Sequence, residues 1–238
     1  GDRAGAVDLP DAAAEAAEPP PLPPGPAALE ALPSLEQALT GTAPIHPHAP
    51  GETPSLPEGE LPADLAVAIA TSGSTGTPKL SLLTAANLIA SAEATAQRLG
   101  GHGQWLLALP PHHIAGLQVL LRSIHAGTRP IVTDPGLTPF ALVEAVAAMT
   151  GERRYASLVP AQLANMAADP MGLEGLRRLD AVLVGEFDVQ QCRHQIVRGV
   201  GRTPFDIVGI DASVGDPVGV GDFHRGTGFG AQVRIVGV

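Results

Sequence analysis

The sequence predicts an α/β fold, a parallel-rich sheet flanked by helices, over residues 64–185. Short apolar runs alternate there with helical patterns, which is typical of parallel strands covered by helices. Apolar residues make up 45% of the chain and charged residues 16%, as in globular proteins. Aromatic residues are only 3%, so Leu, Val, Ile and Ala must fill the core.

Five candidate strands and four candidate helices make up this predicted core. The strands are residues 65–71, 105–110, 129–133, 155–159 and 180–185. The helices between them are residues 85–99, 113–126, 139–149 and 161–168. We find no repeat with a period of about 20 to 50 residues, which argues against a solenoid.

Two segments with a different composition flank this core. Residues 1–63 contain the run PPPLPPGP and are predicted to be a largely irregular lead-in with little packed structure. One short helix is expected near residues 35–40, with Ser34 as its cap. Residues 186–238 are a Gly-rich continuation of the same domain, in which the alternation of strands and helices weakens.

The charge and cysteine content restrict the partners. Lys and Arg total 14 against 24 Asp and Glu, a formal charge of -10, which disfavours nucleic acid and anionic membranes as partners. The single Cys192 excludes an intrachain disulfide and a multi-cysteine zinc site, and favours a reduced, cytoplasmic setting. We expect neither a transmembrane nor a secretory segment, because no run of 18 apolar residues and no signal-peptide pattern occurs. The oligomeric state stays open, with a homo-oligomer among the alternatives.

Residues 71–79, TSGSTGTPK, form the most specific motif of the chain. Gly73 and Gly76 lack a Cβ atom, so the backbone N–H groups around them can approach phosphate oxygens. Hydroxyl groups and the amine of Lys79 add further donors. Pro78 and Leu80 stand where a GxxxxGK[ST] loop needs glycine and a hydroxyl, and GxGxxG is absent. A flexible linker is the alternative, but a linker would not follow an apolar strand and end in Pro-Lys.

This motif resembles the signature loop of the acyl-adenylate-forming superfamily of acyl-CoA synthetases, peptide-synthetase adenylation domains and luciferases. The resemblance implies that the loop holds the β- and γ-phosphates of ATP with Mg²⁺, and that Lys79 is catalytic. Leu80 stands where the family usually has glycine, which predicts a stiffer exit from the loop. We assign no metal ligand. The implied nucleotide-binding residues are Thr71, Ser72, Gly73, Ser74, Thr75, Gly76, Thr77, Lys79 and Gly185.

A second family pattern, P-x-x-H-x-x-G, is matched by Pro110, His113 and Gly116. In the superfamily it ends a strand and opens the helix that lines the acyl pocket. The resemblance implies that His113 lies near the reacting carboxylate as a movable wall or polar contact, and we predict it as a catalytic residue. For His112 we predict an ordinary structural role, since histidine has many of these.

Arg122 is an arginine among apolar neighbours on the same predicted helix. Gln118 lies four residues earlier and therefore on the same helical side. A buried guanidinium needs an anionic partner. Two kinds of partner stay open: Glu144 or another structural carboxylate, or a carboxylate of the substrate.

Three longer stretches narrow the resemblance. They are LALPPHHIAGLQVLLRSIHAGT, RYASLVPAQLANM and LRRLDAVLVG, and they resemble the o-succinylbenzoate:CoA ligases of menaquinone biosynthesis. Such enzymes join the succinyl carboxylate to AMP, release pyrophosphate, and transfer the acyl group to CoA as co-substrate. The substrate is therefore expected to be a small-molecule acid, with another aryl or acyl acid as an alternative. The implied acid-binding residues are His113, Gly116, Gln118, Arg122, Ser157 and Gln162.

Beyond Gly185 the family pattern is not recognisable. We find neither the Y-G-x-[ST]-E segment, nor the ribose-binding Asp, nor the C-terminal lid with its Lys. The stretch 226–236, GTGFGAQVRIV, again resembles the family, so a compensated reading-frame error across residues 186–225 is one hypothesis. We therefore expect this chain alone to be inactive as a ligase, and the alternative to a working enzyme is a truncated remnant that binds nucleotide weakly.

Overall fold

The computed structural model describes residues 21–52, 61–71, 79–184, 205–208 and 233–237, and only the backbone at 71, 79, 205–208 and 233–237. Its strands are β1 Leu65–Thr71, β2 Lys79–Thr84, β3 Gln104–Leu107, β4 Ile131–Val132, β5 Arg154–Leu158, β6 Ala181–Val184, β7 Phe205–Val208 and β8 Val233–Gly237. A 3-10 helix, Pro26–Ala31, precedes the α-helices. These are α1 Leu32–Leu39, α2 Ala85–Leu99, α3 Ile114–His125, α4 Pro139–Ala148, α5 Pro160–Ala168 and α6 Pro170–Arg177.

The main sheet confirms the predicted α/β fold. Its strand order is β4-β3-β5-β6-β8-β7, and every adjacent pair is parallel. Leu107 of β3 is in register with Val132 of β4 on one side and with Ser157 of β5 on the other. All carboxyl ends of these strands consequently point to one edge of the sheet.

Alternation along the strands divides the core into two layers. Trp105, Leu107 and Tyr155 face a first layer, in which α1, α2 and α3 pack. The intervening residues Leu106 and Ala156 face a second layer, formed with α4, α5 and α6. Burial on both faces explains why these strands are continuous apolar runs in the sequence.

The segment before residue 64 packs more tightly than predicted. Leu22 and Leu35 are buried in the first layer, and the N–H of Ile45 donates to the carbonyl of Ala66 in β1 at 2.9 Å. The expectation of little packed structure is therefore wrong for residues 21–52. The segment packs because it forms helices: Pro26 begins a 3-10 helix, and α1 follows it directly. The N-cap of α1 is Ala31, so the predicted cap, Ser34, lies inside the helix.

Strand β1 does not belong to the main sheet, contrary to prediction. It pairs antiparallel with β2, a strand that the sequence did not predict, and Thr71 is the register partner of Lys79. The sequence KLSLLT of β2 is short and alternates polar and apolar residues only weakly. Because it also lies directly before a helix, its hydrophobic periodicity does not predict a strand clearly. The phosphate motif thus connects two paired strands rather than a strand and a helix.

The four predicted core helices are confirmed within one residue at each end, whereas the predicted helix at 35–40 begins three residues earlier, at Leu32. Helix α2 spans the predicted 85–99 because Thr84 and Asn87 form a capping box and Gly100 ends it with φ 87°. Helix α6 was not predicted, because its two glycines lower helix propensity. Both glycines make close contacts: a Cβ at Gly172 would lie 2.5 Å from the carbonyl oxygen of Met166. In the part of the chain that the structure describes, no helix is long and apolar enough to span a bilayer.

Candidate active site at the carboxyl edge of the sheet

The strand order predicts a ligand-binding crevice between β3 and β5. The chain leaves β3 through α3 into the first layer, whereas it leaves β5 through α5 into the second layer. Such a divergence is a topological switch point, and in open parallel sheets ligands bind there, outside the carboxyl ends of the strands. The turn at 108–113 and Val159 border this crevice.

The phosphate motif begins and ends at neighbouring points of the β1–β2 pair. Thr71 and Lys79 are register partners, and β1 packs into the first layer through Val67 and Ile69. The roles of both residues stay predictions. The remaining predicted nucleotide contacts lie outside the described residues: Ser72, Gly73, Ser74, Thr75, Gly76, Thr77 and Gly185.

The P-x-x-H-x-x-G pattern is a tight junction between β3 and α3. The N–H of His113 donates to the carbonyl of Pro110 at 3.2 Å, and His113 is the extended N-cap of α3. A Cβ at position 116 would lie 2.3 Å from that carbonyl oxygen, far inside contact distance. Gly116 therefore lets the first turn of α3 rest on the Pro110 backbone.

The imidazole of His113 is exposed at the crevice beside that of His112, with ring centroids 4.4 Å apart. Partial burial lowers the pKa of His113, the neighbouring His112 lowers it further, and Glu52 opposes them. The ring is therefore neutral at neutral pH and offers one nitrogen donor and one acceptor. Nδ1 of His112 lies 3.3 Å from the carbonyl oxygen of Leu22, a structural contact.

Two histidines near this junction were missed by the sequence reasoning. His46 and His48 are buried, and Nδ1 of His48 lies 3.0 Å from the carbonyl oxygen of His46. The N–H of Leu22 donates to the carbonyl of His48 at 3.0 Å, which connects this segment to His112. Burial, and then the nearby His48, lower the pKa of His46. In the sequence these two histidines lie in the segment PIHPHAP, a pattern typical of a turn, which does not predict that they are buried.

Gln118 and Arg122 form a polar pair inside the first layer. They are 9% and 8% exposed, and among the described residues neither Oε1 of Gln118 nor Nε of Arg122 has a hydrogen-bond partner. The guanidinium carbon of Arg122 lies 5.3 Å from the centroid of the Trp105 ring, a cation–π contact. Burial lowers the pKa of Arg122 to about 10, so the side chain stays charged at neutral pH.

The prediction that Glu144 is the partner of Arg122 is wrong. Helix α4, which carries Glu144, packs in the second layer, on the other face of the sheet from α3. Among the described residues no carboxylate forms an ion pair with Arg122. The alternative that stays open for Arg122 is an anionic partner from outside the described residues.

The predicted acid-binding residues are spread along α3 instead of meeting at one point. Arg122 follows His113 by nine residues, which is roughly 13 Å along a helix. Its ring partner Trp105 lies in the amino-terminal half of β3. Gln118 lies between the two, and Ser157 of β5 is buried next to Leu107. The set therefore extends along α3 from the carboxyl edge of the sheet into the first layer.

Gln162 holds the strand ends together. Its Nε2 donates to the carbonyls of Ala108 and Pro135 at 2.9 and 2.8 Å, and its Oε1 accepts from the N–H of Val159 at 3.1 Å. These three segments follow β3, β4 and β5. The observed contacts make the amide a brace of the carboxyl edge, and its direct contact with substrate stays a prediction.

Known proteins resemble this chain in sequence and in fold. A family model described as AMP-binding enzyme matches residues 8–201. A probable 2-succinylbenzoate–CoA ligase of Mycobacterium tuberculosis (strain ATCC 25618 / H37Rv) is 44% identical over 171 residues, covering 69% of this chain and 45% of that protein. The 2-succinylbenzoate–CoA ligase of Escherichia coli (strain K12) is 34% identical over 145 residues, covering 57% of this chain and 30% of that protein. The matches thus span less than half the length of these relatives.

Among solved structures, a malonyl-CoA ligase in a ternary product complex with methylmalonyl-CoA and AMP has a TM-score of 0.57. It is 20% identical, and the match covers 76% of this chain and 50% of that chain. At this identity the likeness concerns the fold alone. It agrees with the parallel sheet and flanking helices described above.

Proposed function

The chain belongs to the AMP-binding enzyme family, and we propose that it forms the ATP-binding and acid-binding part of a ligase that activates o-succinylbenzoate for transfer to CoA. The observation that carries the proposal is the β3–β5 switch point of the sheet, at which the Pro110–Gly116 junction begins α3. The similarity to 2-succinylbenzoate–CoA ligases supports the choice of acid. A place in menaquinone biosynthesis and a cytoplasmic setting are parts of this proposal.

In the proposed first step, a carboxylate oxygen of the acid attacks the α-phosphorus of ATP, and pyrophosphate leaves. The backbone N–H groups of residues 72–77 and the amine of Lys79 would stabilise the charge of the leaving pyrophosphate, which is catalysis by positioning and electrostatics. In the second step the CoA thiol attacks the acyl carbonyl and AMP leaves. His113, exposed at the crevice and neutral, would contact the reacting carboxylate.

Mg²⁺ is assigned to the phosphates of ATP and not to a protein cage. Within the described ranges, the one group of three His, Cys, Asp or Glu that could hold a cation lies at the opposite edge of the sheet. Mg²⁺ commonly binds through substrate phosphates with few protein ligands. This chain would therefore contribute to Mg²⁺ binding mainly through the nucleotide that its phosphate loop holds.

The polar residues along α3 are the reason for proposing an acid with two carboxylates. With the reacting carboxylate near His113 and Gly116, the second is proposed to lie on the side of α3 that carries Gln118, and the Arg122 side chain would have to turn from Trp105 toward the amino end of α3 to meet it. The support is the buried, charged Arg122, whose Nε has no partner among the described residues. A second role is open for Arg122, because its contact with Trp105 by itself contributes to packing.

A non-catalytic remnant is the second candidate function. It is favoured by the stretch 186–225, in which the family's adenine-stacking and magnesium-holding segment is not recognisable. Such a protein would bind ATP or acid without joining them. A ligase for another aryl or acyl acid is the third candidate.

Calorimetric titration and a pyrophosphate-release assay on the same preparation separate these candidates. The chain is titrated with ATP, with o-succinylbenzoate, and with 4-oxo-4-phenylbutanoate, which lacks the ring carboxylate. Pyrophosphate release that requires o-succinylbenzoate supports the ligase, and release with a different acid supports the third candidate. Binding of ATP and acid without release is the result expected if this chain alone is inactive, either as one part of a ligase or as a remnant. Absence of binding to both ATP and acid contradicts all three.

A further inference from the structure

Three metal-ligating side chains from different elements meet at the amino edge of the sheet. Glu93 lies in the middle of α2, His102 in the connection from α2 to β3, and His125 is the last residue of α3. Nε2 of His125 lies 2.5 Å from Oε1 of Glu93, and Nε2 of His102 lies 3.4 Å from the same oxygen. All three ligand atoms lie within 4.8 Å of one another.

The backbone on both sides of His102 is constrained. Gly100 and Gly101 have φ angles of 87° and 138°, values that reverse the chain directly before His102. After His102, Gly103 packs so closely on the ring of Tyr155 that a Cβ would lie 2.5 Å from it. The two rings meet edge to face, with centroids 5.5 Å apart. His102 is thus presented from a short, fixed connection and not from a freely moving loop.

We propose that Glu93, His102 and His125 bind a divalent transition-metal ion of the zinc class through two imidazole nitrogens and one carboxylate oxygen. Two histidines and one carboxylate are a donor set that zinc uses, with water in the fourth position of a tetrahedron. Imidazole favours zinc, cobalt, nickel or copper over the oxygen-seeking Mg²⁺ and Ca²⁺. Pairing with the Glu93 carboxylate would also hold both imidazoles, so zinc binding is the measurement that distinguishes a metal site from an ion pair.

The proposed ion is separate from the ATP chemistry. His125 and His113 mark opposite ends of α3, and their separation of twelve residues corresponds to roughly 18 Å along a helix. An ion at Glu93 would join α2, the α2–β3 connection and the end of α3. Its effect is therefore expected on the stability of the first layer, and binding of ATP does not require it.

The test uses the whole 238-residue chain. Thermal unfolding is recorded with ZnCl2 and with MgCl2, and bound zinc is counted by elemental analysis after gel filtration. We expect one zinc per chain and a higher Tm with ZnCl2 only, because an ion that binds the folded state stabilises it. His102→Asn and Glu93→Gln should each raise the zinc Kd by about tenfold or more, the loss typical of a disturbed metal shell.

Matched controls keep the result interpretable. Glu174→Gln removes an exposed carboxylate from α6, and His112→Asn removes an imidazole outside the cluster, so both should retain zinc binding. A triple variant, Cys192→Ser with His194→Asn and His224→Asn, tests zinc ligands elsewhere in the chain. The proposal is overturned when His102→Asn and Glu93→Gln, both folded by circular dichroism, bind zinc as the parent does. It is equally overturned when the triple variant abolishes zinc binding, or when the parent binds none.

Discussion

A Cβ on residue 116 would stand 2.3 Å from the carbonyl oxygen of Pro110, so α3 can start beneath the proline turn only with glycine at this position. The same Cβ would lie 2.7 Å from the carbonyl carbon of Pro110. Both are backbone atoms of Pro110, whose carbonyl oxygen also accepts a hydrogen bond from the N–H of His113. The contact therefore ties the position of the His113 side chain to the packing of α3.

The first prediction concerns Gly116→Ala. Alanine is favoured over glycine in a helix by about 1 kcal/mol, but the clash must move either the turn or the helix, and overpacking costs about 1 to 3 kcal/mol. We expect the free energy of unfolding in urea to fall and acid binding to weaken. Gly136→Ala is the control, because its Cβ would meet nothing within 4 Å. Equal stability of the two variants would contradict the steric argument.

The second prediction concerns Arg122→Leu. If the proposed second carboxylate meets this guanidinium, o-succinylbenzoate binds more weakly to the variant. The loss of binding free energy should be about 1 to 3 kcal/mol, the range for a charged hydrogen bond that is lost. The Kd for 4-oxo-4-phenylbutanoate, with one carboxylate, should change little. Calorimetry on both acids measures the difference.

Arg178→Leu is the control for this variant, since Arg178 forms an exposed ion pair with Glu174 on α6. If Arg122→Leu weakens both acids alike, the arginine acts through its contact with Trp105. The role in substrate selection would then be wrong.

The third prediction concerns stability between pH 7.5 and 5.5. Burial lowers the pKa of His46 in the folded chain below its ordinary 6.5. The unfolded chain therefore binds more protons below that pH, and stability falls as the pH falls. We expect the Tm to decrease over this range and His46→Gln to flatten the decrease. A variant with the parent's slope would show that another group causes it.

A separate acidic window is expected from Glu93. Its hydrogen bond with His125 is the main reason why the pKa of Glu93 lies below its usual 4.5. A lowered carboxyl pKa contributes stability above the unfolded value, and this contribution disappears as the pH falls through the folded one. Glu93→Gln should therefore change the Tm profile below about pH 4.5.

The sequence predicted those elements whose ends carry strong local signals. Helix α2 is bounded by the Thr84 cap and the left-handed Gly100, and both are visible as residue types. Helix α6 was missed because Gly172 and Gly175 look unfavourable until their close contacts across the second layer are known. Tertiary packing decides such cases, and propensity does not.

The candidate site was predictable in part. Its apolar neighbours in the sequence predicted that Arg122 would be buried, but they left open whether its partner is a structural carboxylate or a carboxylate of the substrate. The exclusion of Glu144 needed the layer assignment of α4, which depends on the strand order. His46 and His48 gave no usable signal, because their proximity to His112 arises from the pairing of distant backbone segments at Leu22.

The last prediction concerns Lys79, the single lysine of the chain. It begins β2 opposite the end of β1, so its backbone is fixed where the phosphate motif closes. If its amine meets the β- and γ-phosphates, Lys79→Ala should weaken ATP binding strongly, AMP binding little, and o-succinylbenzoate binding not at all, because AMP and the acid lack those phosphates. Lys79→Arg keeps the charge and should lose less affinity, although its geometry differs.

Since no other side chain of the protein carries a primary amine, an amine-selective acylating reagent reports on this position directly: ATP should slow modification of the peptide that contains Lys79, and AMP should not. The N-terminal amine, modified in the same reaction, serves as the internal reference for reagent activity. Equal modification with and without saturating ATP, or equal loss of ATP and AMP affinity in Lys79→Ala, would show that the amine does not contact the terminal phosphates.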